Sequence, residues 1–108
     1  MKILFDTNTP APLAPFLRNH SVSFSYQLGW AGLENGALLS TAEEAGFDLL
    51  LTCDKNISHQ QNLTGRRIGL VVLWTNHWPT LQVVGPKIAT RIDFARPGQV
   101  VLMNEDGL

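Results

Sequence analysis

Cysteine is nearly absent from this 108-residue chain. The one thiol, Cys53, cannot close an intrachain disulfide, and no Cys/His spacing of the zinc-finger type occurs. A reducing cytoplasm is therefore the expected setting. Charge of one sign is lacking too, with eight Lys and Arg against nine Asp and Glu. That balance excludes the strongly basic surface of a protein that coats nucleic acid, so any phosphate contact must be local. Long apolar runs are missing: none approaches the roughly 18 residues of a membrane span, and no membrane association is expected. The opening, one Lys followed by three apolar residues and an acid, is too short for a signal peptide.

What is present is enough hydrophobic residue, 44% of the chain, to bury one core and not two. The expectation is a single domain over residues 1–104 with a frayed tail at 105–108.

Two stretches stand out. In KILFDTNTP the apolar run Ile3-Leu4-Phe5 stops on Asp6-Thr7-Asn8, and in LLLTCDKN the run Leu49-Leu50-Leu51 stops on Thr52-Cys53-Asp54. An apolar run bounded by turn-prone residues reads as a buried strand. A carboxylate where such a strand leaves the sheet must be solvated, paired or metal-bound.

Between and beyond these stretches, Pro10, Pro12 and Pro15 lead into a helix expected over residues 12–20. Residues 21–26 alternate Ser with Val22, Phe24 and Tyr26, the period-two pattern of a strand with one covered face, near an edge. Asn35 is the expected N-cap of a helix over 36–45, which Gly46 ends. Strand three is expected over 48–52, a short helix or turn over 57–63, a buried strand over 68–74, a helix over 80–92 and a last strand over 99–103.

Strands alternating with helices indicate an α/β fold, here a three-layer α/β/α arrangement with a mostly parallel sheet of about five strands. Ligands of such sheets bind beyond the carboxyl ends of the strands, where the strand order reverses. If strands one and three are neighbours, Asp6 and Asp54 end on one rim, on strands about 4.8 Å apart. Both stay ionised there only with a cation between them. A hard ion, Mg2+ or Mn2+, held weakly and singly, is the expected cofactor, acting on a phosphodiester through an activated water. Each Asp also has a plainer reading as the cap of a following helix; the repetition of the pattern favours the shared site.

These residues also carry a resemblance. The strand ending in Asp6-Thr7-Asn8, and Ala42, Gly46 and Leu49 to Asp54 with its Thr-x-Asp ending, resemble the PIN domain superfamily across about residues 1–75. Most PIN domains are metal-dependent ribonucleases, and many small bacterial members are the toxins of toxin-antitoxin pairs. The resemblance implies Asp6 and Asp54 as metal ligands and catalytic residues, with Thr7, Asn8 and Thr52 shaping the site by hydrogen bonds. It also implies RNA as substrate and an antitoxin protein as partner; that the RNA is single-stranded and that the chain forms a homodimer are further expectations. The fuller family pattern has three or four acids, whereas this chain has Asn35 and Asn56 at two positions where acids are usual.

Glu34, Glu43 and Glu44 are the candidates to supply a missing carboxylate, Glu34 first because it adjoins Asn35; for each, solvated helix surface is the plainer reading. Candidate substrate contacts are Asn8, Asn35, Lys55, Asn56, Gln60 and Gln61, the last two in the amide-rich run His59-Gln60-Gln61-Asn62. Trp30, Trp74 and Trp78 are readable as base-stacking platforms or as core and loop packing. Arg66-Arg67 is the strongest local basic point, and His20 and His77 read as surface residues. Two functions follow: a metal-dependent endoribonuclease, or a catalytically silent binding module on the same scaffold.

Overall fold

The computed structural model describes residues 1–57, 63–105 and 108. Among these, five strands form one all-parallel sheet: β1 (Lys2–Phe5), β2 (Ser21–Phe24), β3 (Leu49–Thr52), β4 (Gly69–Val72) and β5 (Val100–Leu102), in the order β2-β1-β3-β4-β5. The central strands are the apolar runs of the sequence, because a parallel strand is covered on both faces. Ile3, Leu4 and Phe5 are fully buried, each side chain stabilising the fold by roughly 1.5–3 kcal/mol. The Ser-alternating β2 takes one edge.

Strand parity divides the core in two. Ile3, Phe5, Leu49, Leu51 and Val71 pack with Leu13, Leu17, Leu81, Ile88 and Ile92. Leu4, Leu50, Leu70 and Val72 face the other way, onto Leu38, Leu39, Ala42 and Phe47. Helical side chains therefore contribute to each cluster.

Helix boundaries depart from expectation where proline intervenes. The first helix is a 3-10 segment, Ala11–Phe16, because Pro12 and Pro15 donate no N–H and the Pro15 ring opposes the preceding turn of an α-helix. Leu13 and Leu17 still reach the core. The expected helix over 80–92 is two, α2 (Trp78–Val83) and α3 (Gly85–Asp93), broken at Val84, with Pro86 in the first turn of α3. Helix α1 (Asn35–Glu44) ends as its sequence predicts: Gly46, at φ 87°, donates to Glu43 O while Phe47 donates to Ala42 O, the paired bonds of a Schellman motif. Its start differs, since Glu34 occupies the N-cap position and makes no side-chain cap bond. The helix or turn expected over 57–63 falls almost wholly outside the described residues. Leu108, expected in a frayed tail, is half-buried against the core.

The connections reveal one topological irregularity. The β2–β3 and β4–β5 crossovers both step toward the β5 edge, yet α1 lies on one face and α2 and α3 on the other. They therefore have opposite hands, an exception in a class of connection that is overwhelmingly right-handed.

Candidate metal centre

The chain steps from β1 outward to β2, then back across to β3, so strand order reverses between β1 and β3. A crevice forms beyond the carboxyl ends at such a point. Register pairs Phe5 with Leu51, and Asp6 N–H continues the ladder by donating to Leu51 O at 2.9 Å. Asp6 thus leaves β1 level with Thr52, two residues short of Asp54.

Thr52 is fully buried and its hydroxyl joins the two acids. It donates to Asp6 Oδ2 at 2.8 Å and accepts the Asp54 backbone N–H at 3.1 Å. Thr7 N–H supplies the other Asp6 oxygen, Oδ1, at 2.8 Å. Asp54 is held in the same manner, Oδ1 accepting Asn56 N–H at 2.9 Å and Oδ2 accepting Asn35 Nδ2 at 3.0 Å. Asn8 Oδ1 accepts Cys53 N–H at 3.1 Å and ties the loop after β1 to that after β3.

Two residues that the sequence did not single out complete this network. Thr9 is buried and donates to Leu51 O at 3.0 Å, and Ser25, fully buried, lies 3.1 Å from the Thr7 hydroxyl. The alternation over 21–26 places Ser25 on the polar face and Tyr26 on the covered one. The structure inverts this, with Tyr26 52% exposed, because β2 ends at Phe24 and the turn that follows breaks strand parity.

The other candidates divide clearly. Asn35 is the first residue of α1 rather than its cap, and its amide is turned to Asp54. Asn56 reaches the acid through its backbone. Glu34 is exposed beside Asn35. Glu43 is removed from the rim: its Oε1 accepts the backbone N–H groups of Arg67 and Ile68, just before β4 begins, and these bonds hold its carboxyl below the usual range. Glu44 is exposed. Lys55 is exposed next to Asp54 and borders a cavity. Gln60 and Gln61, with His59 and Asn62, lie outside the described residues. Trp30 packs edge-on against Phe47, and Trp78 stands 6.2 Å from Phe16, so both serve packing. His20 is tied to Asp93 at 2.6 Å rather than being a free surface side chain.

The donor set suits a hard cation. Each oxygen of Asp6 and Asp54 accepts one hydrogen bond, and a carboxylate oxygen has a further lone pair for a ligand. Burial pushes the neighbouring Cys53 thiol up to about 11, against a lowering by its Thr9 hydrogen bond and with the Asp6 charge adding to the rise. It is protonated at neutral pH and offers no soft thiolate. Among the described residues no group of three or more His, Cys, Asp or Glu is placed to hold a metal. An ion here would have two carboxylates and complete its shell with water, the mode common for Mg2+.

A larger groove of about 480 Å³ lies along α3, bordered by Lys87, Arg91 and Phe94; it contains none of the rim residues. Fold and rim together define an all-parallel α/β protein with an acid just beyond each of two neighbouring strands at a switch point. No protein-family model matches the chain, and neither a curated protein nor a solved structure matches it.

Proposed function

We propose that the protein is a metal-dependent endoribonuclease acting on single-stranded RNA, and the toxin component of a toxin-antitoxin pair. The observation that supports this most is the Thr52 hydroxyl, which bonds Asp6 Oδ2 and the Asp54 backbone N–H at once and so ties the Asp6 carboxylate to the backbone of the second acid on the neighbouring strand end. The strand endings Asp6-Thr7-Asn8 and Thr52-Cys53-Asp54, with their resemblance to PIN domains, agree with it.

In this reading Asp6 and Asp54 would hold one Mg2+ or Mn2+, which when bound would supply Lewis-acid chemistry to a phosphoryl oxygen and to water. Thr7 and Thr52 fix the Asp6 carboxylate, and Asn35 and the Asn56 backbone fix Asp54. Holding ligand oxygens in place before substrate arrives removes reorganisation from the reaction. Lys55, exposed beside Asp54, meets the RNA phosphate.

The test is cleavage of a panel of single-stranded RNAs with Mg2+ or Mn2+. Asp54→Asn and Asp6→Asn should abolish metal-stimulated cleavage, whereas Glu43→Gln should leave it nearly intact. Glu34→Gln distinguishes a solvated residue from one that replaces the acid missing at Asn35. A second reading, the silent binding module, is favoured by the Asn35 amide, which donates to Asp54 Oδ2 where the family pattern would place an acid. A wild type that cleaves no RNA yet binds a co-encoded protein tightly would establish that reading instead.

A further inference from the structure

A cavity of about 290 Å³ opens on the carboxyl rim beyond the ends of β4 and β5, bordered by Lys55, Val72, Leu73, Trp74, Leu102, Met103 and Asn104. Neither acid lines it, but two links lead from its lining to the acids. Leu73 N–H donates to Thr52 O at 2.8 Å, so the residue whose hydroxyl holds Asp6 also anchors a wall of the cavity. Lys55, at the other side, immediately follows Asp54.

The lining has a definite chemistry. Val72, Leu73 and Met103 are buried and apolar, and Trp74, half-buried, adds an indole. Among the described residues of the lining the polar side chains are Lys55 and Asn104, both exposed and each already making an interaction of its own. An apolar cavity with an aromatic wall, one amide and one cation matches a nucleobase, whose faces stack and whose edge hydrogen-bonds, followed by its phosphate. The volume is at the small end of ligand sites, which run from about 300 Å³ upward. It suits one nucleotide rather than a peptide segment.

The geometry points to this cavity as the base-binding subsite for a nucleotide of single-stranded RNA, with the base against Trp74, its edge toward Asn104 and its phosphate toward Lys55. The assignment rests on the nuclease reading for the direction of the strand, and it confers preference for unpaired RNA, since a base held in a duplex cannot enter a cavity.

The experiment uses the 15N-labelled wild type in EDTA, titrated with UMP, AMP and a single-stranded RNA heptamer, following the indole N–H resonances of the three tryptophans. The Trp74 signal, assigned with Trp74→Phe, should shift while those of Trp30 and Trp78 stay in place. Lys55→Ala and Asn104→Ala, each checked for an unchanged amide spectrum away from the cavity, should weaken heptamer binding by about tenfold. Lys87→Ala, on the far groove, should not. Asp54→Asn should lose cleavage and keep the Trp74 shift. A wild type that shows the Trp74 shift but cleaves nothing upholds the subsite and defeats the nuclease reading. Cleavage that proceeds with Lys55→Ala and Asn104→Ala unimpaired, and with no Trp74 shift, overturns the subsite and leaves the nuclease reading standing. A Trp74 response to a co-encoded protein alone, with none to nucleotides, also overturns it.

Discussion

The Thr52 hydroxyl lies 2.8 Å from Asp6 Oδ2 across two neighbouring parallel strands, and it is fully buried. Its single proton goes to the carboxylate, the nearer acceptor, with Asn8 Oδ1 at 3.4 Å, while its lone pair takes the Asp54 N–H. Thr52→Val keeps the shape and removes both bonds, leaving a backbone N–H and a carboxylate oxygen short of a partner. It should cost about 1–3 kcal/mol of stability by urea denaturation. Cation affinity by calorimetry should fall as well, and Thr52→Ser should restore most of each.

Asn35 stands where its Nδ2 donates to Asp54 Oδ2 at 3.0 Å. Asn35→Asp replaces that donor by a second negative charge. In EDTA the variant should melt at a lower temperature than wild type through like-charge repulsion. With Mg2+ the order should narrow or reverse, because a third carboxylate raises cation affinity, here by about tenfold, and binding stabilises the folded state by mass action. Melting curves with and without Mg2+ check both halves; an unchanged Mg2+ response would place the ion elsewhere.

Glu43 links α1 to the segment before β4 through the Arg67 and Ile68 backbone. Those bonds lower its carboxyl in the folded protein, so the folded state binds this proton less readily than the unfolded one. Its contribution to stability is therefore complete above the ordinary value of 4.5 and disappears as pH falls through the lowered one. Urea unfolding of wild type and Glu43→Gln should differ at pH 7 and converge in acid.

Gly69 opens β4 where a methyl group would stand 2.8 Å from Arg96 O and 2.6 Å from the Leu49 side chain. The carbonyl belongs to the turn that leads into β5 and cannot rotate away as a side-chain tip can. Gly69→Ala should destabilise by about 1–3 kcal/mol in chemical denaturation, whereas Gly32→Ala, with open space around it, should not.

Much of the fold was legible because its signals are local. Ile3-Leu4-Phe5 and Leu49-Leu50-Leu51 are continuous apolar runs, and a strand covered on both faces requires nothing else of its sequence. Gly46 marked the end of α1 because a positive φ is a property of one residue. Proline spacing misled the reading twice, in the 3-10 segment and in the break at Val84, since a hydrophobic period continues through a proline while the backbone ladder does not.

The sequence by itself determined which residues form the strands, that Asp6 and Asp54 stand at strand ends, and that the charge is too balanced for an extended basic surface. Only the tertiary structure decided that those strands are neighbours, that the Asn35 amide turns to Asp54 instead of capping its own helix, that Ser25 is buried, and that Lys55, Trp74 and Asn104 border one cavity. The physical reason is the same in each case. A parallel strand exposes the same backbone donors and acceptors to any partner, so strand order and side-chain meeting points are settled by how helices cover the two faces, through contacts between residues far apart in the chain.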